Sequence, residues 1–465
     1  MNSSHPQAEV NCLTRENKSL PRVLIFCAHP FNFLNGSGIT IANLFKGWPG
    51  HKLACLYWIR QCAPDTTICS NNYWLDENEY VYPFPYSMIH QLNRKVKQQE
   101  HRHAPLASDN TSAGNLPARA SRLLTLKQIT LELGLDGGQH MKLSSPQLAW
   151  IDTFAADVCY AVINQPKEIA VIAAILRHRP VPLVIHFFDD WMASYRTGSS
   201  VSSMIQSYRI KRELRWINQT ATIRMAIGEE MAKNFQQRYG APFLPFQNCP
   251  EYDLFARKSR HDWHLFQEFH IVFTGAIYDT LNLQSLLLIA QAIETLPDSM
   301  PCSIHLDIYP TPELMTSLRP IFGAFRRTHL HQLLADDQAI AALYGQADAL
   351  LLTFDFGEQT RAFSYSMPTK LPSYMLSGTP IFVFGPNTTA VAKFLSAHKA
   401  GYVVGETCKV QELQCHLTAF CLDVELRRRL ALQAQEVARC ELSAEIVRPR
   451  FQQIFRQLFA GSARG

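Results

Sequence analysis

No Cys-x-x-Cys pair occurs in the sequence, although it carries 12 cysteines. That excludes the common paired-thiol zinc and dithiol signatures. The nearest grouping, Cys55, Cys62 and Cys69, is spaced by sevens and matches no zinc pattern. Glycine and proline, 21 and 26 of 465 residues, are too few for a fibrous or low-complexity chain. The longest unbroken apolar run, 169–176, falls far short of a membrane span. Excess charge is also small: 44 basic and 39 acidic residues leave a net +5, too little for a dedicated nucleic-acid binder. That balance is compatible with an ordinary soluble chain or with contact at an anionic substrate or membrane surface. Residues 1–18 are polar and lack the basic and then apolar blocks of a signal peptide. Cys27, Cys55 and Cys159 sit in apolar runs as small hydrophobes. Together these predict a reduced, cytoplasmic setting, with peripheral attachment at the inner membrane face as a further expectation.

What the chain has is length and a 47% hydrophobic share, enough for two or three cored domains. Residues 22–28 (RVLIFCA) are too apolar to alternate and predict a strand covered on both faces. A turn rich in Asn and Gly, a helix through Phe45 and a strand over 52–59 complete a βαβ opening. Residues 60–145 break that rhythm. They form an insertion with a Ser/Asn/Ala-rich centre (107–115) and seven Lys/Arg against two acids over 90–127. Regularity returns with strands at 157–163, 182–188 and 223–227, and helices at 166–177, 203–218 and 229–239, the last capped by Gly240. A linker is expected at 242–260. A second series of strands follows at 270–274, 303–309, 329–334, 347–353 and 380–384, before Arg-rich helices at 423–458. The expected class is α/β, with two doubly wound, Rossmann-like parallel-sheet domains facing across a cleft. The boundaries are a tail over 1–20, a first domain over 21–255 and a second over 256–440. A final helix over 441–465 is expected to pack back on the first domain.

Asn35-Gly36-Ser37-Gly38 follows the first strand and opens a helix, a place where backbone N–H groups approach a phosphate or sugar. It is not a dinucleotide fingerprint: Ile41 stands where the third glycine belongs, and 51–60 offers no acid. A tight structural turn explains it equally well. In the second half, 353–385 is the informative stretch. A loop with Asp355, Glu358 and Arg361 leads to a helix expected to start near Ser366–Pro368, with Ser366 as N-cap, and to stop at Gly378. Lys370 in its first turn opposes the helix dipole unless an anion is shared there with the hydroxyls of Ser366 and Thr369. A solvent-facing lysine is the even alternative.

The segment 366–381, Ser-Met-Pro-Thr-Lys-Leu-Pro-Ser-Tyr-Met-Leu-Ser-Gly-Thr-Pro-Ile, resembles the nucleotide-sugar region of glycosyltransferases with the glycosyltransferase B fold. It is most similar to the glycogen-synthase-like, family-four branch, which reads Pro-Thr-Lys-Leu-x-Glu-Tyr-Leu-x-x-Gly-x-Pro. Phe273-Thr274-Gly275, 347–352, 227–240 with Pro245 and Asn248, and the Gly36-Ser37-Gly38 loop fall in the same order, over about 21–59 and 150–405. The resemblance implies a metal-independent transferase needing no cofactor beyond its donor substrate, a nucleoside-diphosphate sugar. It implies a hydroxyl acceptor, glycan or lipid-linked, in glycan or polysaccharide synthesis. Donor contacts are then expected from Gly36, Ser37, Gly38, Thr274, Gly275, Glu358, Arg361, Ser366, Thr369, Lys370 and Ser373. The chain departs from the family where two glutamates are usual, near Tyr365 and at Ser373, and where an arginine is usual, at Ala276. An inactive, ligand-binding homologue and a sugar-nucleotide epimerase of the same two-domain fold therefore stay open.

For acid–base work the candidates are Asp189 and Asp190, at the carboxyl end of strand 182–188, and His29, at the end of the first strand. Asp190 as a turn cap and His29 as a hydrogen-bonded structural residue are the plainer readings. No His/Asp/Glu grouping has metal-site spacing. Arg209, Lys211, Arg212 and Arg215 load the 203–218 helix, either as a solvated face or as a surface for anionic lipid.

Overall fold

The computed structural model describes residues 20–76, 79–82, 84, 87–88, 141–194, 201–334 and 336–462. The polar tail over 1–18, the 107–115 loop and the 90–127 basic run lie outside the described residues. The first sheet comprises β1 (Val23–Cys27), β2 (Leu53–Tyr57), β3 (Asn72–Trp74), β4 (Val158–Val162), β5 (Leu183–Phe187), β6 (Ile223–Ala226) and β7 (Leu244–Pro245). Its order is β3-β2-β1-β4-β5-β6-β7. The second comprises β8 (Glu268–Gly275), β9 (Ser303–Pro310), β10 (Thr328–Leu330), β11 (Ala349–Thr353), β12 (Ile381–Phe384) and β13 (Tyr402–Val404), in the order β10-β9-β8-β11-β12-β13. Every named ladder is parallel. The strand expected to be covered on both faces, β1, is buried at all five positions, as are β2, β4, β5 and β11.

Three strands escaped the sequence reading. β3 lies inside the insertion at 60–145 and is only half-buried, because it forms the sheet edge. β7 falls within the stretch expected to be a linker, which also holds a short helix, Tyr252–Ala256. β13 is three residues long. Each is too short to show a period.

Helices α1 (Gly36–Phe45), α2 (Val201–Thr220), α3 (Glu229–Tyr239), α4 (Leu371–Leu376) and α5 (Ala444–Ser462) bear on function. The Asn35 side chain caps α1 by accepting from the Gly38 N–H at 2.9 Å. Gly240 closes α3 in the left-handed conformation, φ 70°. α5 lies on the first domain: Phe451 meets the Phe45 ring edge-on at 5.1 Å, and Phe455 meets Trp48 at 5.3 Å. Burying each such ring contributes roughly 1.5–3 kcal/mol. Arg448 adds polar ties, donating to the Asn43 carbonyl and to Glu251, both at 2.6 Å.

In both sheets the chain begins in the middle, runs outward to one edge and crosses back to the other side. The order therefore reverses between β1 and β4, and between β8 and β11. Loops leaving the strands on either side of such a reversal diverge and open a crevice at their carboxyl ends.

Candidate functional site

Between the two switch points lies a cavity of about 590 Å³. His29 and Gly36, after β1, and Asn43 and Asn248 line it on one side. Thr274 and Gly275, at the end of β8, Thr353 at the end of β11, and Thr369, Lys370 and Ser373 line it on the other.

The second-domain wall is organised around Thr274. Its hydroxyl meets Tyr344 Oη at 2.9 Å and Tyr374 Oη at 3.1 Å, and its N–H donates to Tyr374 Oη at 3.2 Å. Its carbonyl accepts from Lys370 Nζ at 2.5 Å. The Lys370 ammonium also lies 3.6 Å from the centre of the Phe273 ring. Burial alone drives its pKa down, from 10.5 to about 7. Gly275 follows at φ 103°, a conformation that would strain a side chain.

Helix α4 starts later than its sequence suggested, at Leu371, so Lys370 is its N-cap residue and Ser366 caps nothing. Pro368 disfavours helical backbone at Met367, and Pro372 fits the first turn. The residues before α4 cross to the first domain instead. Ser366 Oγ donates to Asp189 Oδ1 at 2.6 Å, and Thr369 Oγ1 to the Gly36 carbonyl at 3.3 Å. Asn248 donates to the Thr369 carbonyl at 2.7 Å and accepts from Asn43 at 2.8 Å. Tyr365 Oη accepts from Asn234 of α3 at 3.1 Å. A β-carbon on Gly36 would come 2.8 Å from Thr369 Oγ1, so the glycine is what permits this approach.

On the first-domain wall, His29 Nδ1 shares a hydrogen bond with Ser37 Oγ at 2.9 Å. Burial lowers its pKa, leaving a neutral imidazole that can accept a proton. Gln61, bonded to the His29 side chain, also lines the cavity. Among the described residues, no group of three or more His, Cys, Asp or Glu could hold a metal ion.

No family model and no curated protein matches the sequence. Solved structures do. Alr3699/HepE from Anabaena, in complex with UDP and glucose, aligns at TM-score 0.56 and 14% identity over 93% of this chain and 99% of that one. Sucrose-phosphate synthase from Thermosynechococcus elongatus aligns at 0.59 and 11% over 94% and 99%. WaaG, a glycosyltransferase involved in lipopolysaccharide biosynthesis, aligns at 0.51 and 13% over 93% and 99%. The chain has the glycosyltransferase B fold.

Within this glycosyltransferase B fold the residues singled out from sequence divide by location. His29, Gly36, Thr274, Gly275, Thr369, Lys370 and Ser373 line the cavity. Ser37 and Gly38 sit behind them: Ser37 holds His29, while Gly38 packs against Asn32, whose amide lies 2.0 Å from where a β-carbon would be. Asp190 does not face the cavity as expected. It is 1% exposed and gripped by both nitrogens of the Arg238 fork, at 2.8 and 2.7 Å, so its role is to fasten α3 to the end of β5. Asp189 is spent on the Ser366 bridge, and burial raises its pKa. Glu358 and Arg361 pair with each other at 3.0 Å with both side chains 67% exposed, away from the cavity lining. Tyr344, Tyr374, Asn43 and Gln61 were not anticipated, because nothing in their local sequence distinguishes them from ordinary core or loop residues.

Proposed function

We propose that the protein transfers a sugar from a nucleoside-diphosphate sugar to a hydroxyl acceptor within the cleft. The observation that carries this is the setting of Lys370: its ammonium is held at the cavity wall by a carbonyl and an aromatic face rather than by an acid, and burial lowers its pKa. An anionic diphosphate placed there restores its charge and supplies the missing counter-ion. The reading is supported by the fold and by structural neighbours solved with UDP and with UDP-glucose. Lys370 holds the leaving diphosphate, and the backbone at Thr274 and Gly275 lets the donor approach closely. His29, neutral and oriented by Ser37, accepts the acceptor's hydroxyl proton. The acceptor is a glycan or a lipid-linked saccharide, and the place of work is the cytoplasmic side.

The test is a panel of nucleotide sugars assayed for thermal stabilisation and for release of nucleoside diphosphate, with and without simple sugar acceptors. A ligand at roughly 100 times its dissociation constant stabilises by ~2.7 kcal/mol. The proposal fails if no nucleotide sugar stabilises or is turned over and K370A behaves as the parent does. A second reading, ligand binding without turnover, draws on Tyr365 and Ser373, which stand where family glutamates are usual. Stabilisation by a nucleotide with no release of diphosphate across the panel selects it.

A further inference from the structure

The second sheet turns an uncommon face outward at its β9–β10 edge. Side chains alternate between the two faces along a strand, and the parallel register sets His270 of β8 beside His305 of β9, and Asp307 beside His329 of β10. Toward β11 this face is apolar: Val272, Leu350 and Leu352 are buried. Toward the edge His270, His305 and His329 take their place, each half-buried. Their rings stack in a row, with centroids 5.3 and 5.4 Å apart and interplanar angles of 19° and 21°. Apolar and β-branched residues are the ordinary choice for a sheet face, whereas a row of imidazoles offers nitrogen lone pairs.

Two ring nitrogens of that row converge. His305 Nδ1 lies 3.2 Å from His329 Nε2, although the residues are 24 positions apart in sequence. Nitrogens bound about 2.05 Å from one zinc-like ion stand about 2.9 Å apart at a right angle and about 3.3 Å apart at the tetrahedral angle. The observed spacing falls between these, so a small turn of the two half-buried rings admits an ion where they share a hydrogen bond. Both rings stay neutral in doing so, because the one that donated keeps its proton on its other nitrogen. Among the described residues no group of three or more such side chains forms, so water completes the coordination. The surroundings suit a cation. Asp307 accepts from His270 Nδ1 and His331 Nε2, both at 2.7 Å, and Glu268 lies 3.4 Å from His270 Nε2. Those bonds engage His270 and His331 with carboxylates, which makes them walls of the site rather than ligands.

We infer that His305 and His329 together hold one divalent transition-metal ion of the class that prefers imidazole, such as zinc or nickel. Its effect is structural. β10 is a three-residue strand at the sheet edge, paired to β9 alone, and an ion shared by the two strands fastens it. The chain leaving β9 lines the cavity with Thr311 and Glu313, and the chain leaving β10 lines it with Leu333 and Leu334. Clipping the two strands together therefore steadies that wall. Neither histidine lines the cavity. The site thus goes beyond the proposed transfer, and it is read by metal binding rather than turnover, so either can fail alone.

The experiment is calorimetric titration of Ni²⁺ into the full chain, stripped of metal by a chelator and kept reduced, alongside melting curves. One equivalent is expected to bind and to raise the melting temperature, whereas Mg²⁺, which prefers oxygen ligands, should do neither. H305Q and H329Q should each weaken binding by more than the roughly 10- to 100-fold that loss of an outer-shell partner costs. H331Q, on the same face but not a ligand, should bind Ni²⁺ nearly as the parent does. All three positions are half-buried, and melting curves without metal check that the variants fold. Anomalous scattering at the nickel edge, from crystals of the unsubstituted protein, places the ion without any variant. No binding, binding that survives H305Q and H329Q, an equal response to Mg²⁺, a loss in H331Q as large as theirs, or an ion found elsewhere overturns the inference.

Discussion

Replacing Lys370 with methionine should make the protein more stable and worse at holding a diphosphate. The ammonium sits against the Thr274 carbonyl and over the Phe273 ring, and burial brings its pKa from 10.5 to about 7. An unfolded chain keeps the ordinary value, so between about pH 7 and 10.5 the unfolded state binds a proton that the folded state does not. Stability therefore rises with pH across that window. At 1.36 kcal/mol per unit, complete desolvation costs about 4 kcal/mol at pH 7, an upper bound because the residue is only half-buried. Methionine fills the same space without that cost, so K370M should melt higher at neutral pH, and its melting temperature should lose the rise toward alkaline pH. A diphosphate reverses the balance by favouring the charged form. In the parent, binding above pH 7 must take up a proton, and the dissociation constant should rise up to tenfold per pH unit from about 7.5 to 9. Loss of a charge-assisted hydrogen bond, about 1.5–3 kcal/mol, predicts roughly 10- to 150-fold weaker binding in K370M at pH 6.5, with a flat pH profile. Calorimetric titration of UDP against both proteins at several pH values measures this. An affinity in the parent that is independent of pH, or equal in the two proteins, refutes the reasoning.

Other consequences can be checked alongside. His29→Ala should lower sugar transfer about 10²- to 10⁴-fold while leaving nucleotide affinity unchanged, as seen in paired turnover and titration assays. Asp190→Ala removes a charge-assisted pair from the Arg238 guanidinium, which is 34% exposed, and should cost about 1.5–3 kcal/mol in denaturant unfolding. On one half of the second sheet, from β8 through β9 to the residue just past β10, Asp307 accepts from both His270 Nδ1 and His331 Nε2 at 2.7 Å, and chiefly the first of these hydrogen bonds lifts His270 to about 9. That pairing stabilises the fold fully below about pH 6.5, the unfolded value, and is lost as pH climbs through 9. His270→Asn should remove this dependence from melting curves recorded between pH 6 and 10.

Much of the fold was legible in the residues. Runs such as RVLIFCA and PLVIHFF are apolar without alternation, which only a sheet covered on both faces accommodates, and regular spacing with helices implies parallel strands. Gly240 ends its helix where sequence places it, because a left-handed terminus is a local backbone property. The same holds for Gly378, at positive φ just past the helix expected to stop there. Lys370 stood out for a local reason as well, a cation beside a helix start.

What local sequence does not carry is partnership across distance. Ser366 has every mark of an N-cap, yet Asp189, 177 positions away, claims its hydroxyl. Asp190 reads as a cleft acid until Arg238 is seen to enclose it, and Glu358 and Arg361 read as donor contacts until they are found paired in solvent. Thr274 acquires its role from two tyrosines 70 and 100 positions away. Residue pattern alone was enough for the longer, fully buried strands, for the doubly wound architecture and for the places where backbone or charge is locally out of the ordinary, but not for the short strands β3, β7 and β13. Tertiary structure alone decided which polar groups satisfy one another and which remain to meet a ligand, since hydrogen bonds and burial depend on neighbours that the chain brings together only when both domains are folded.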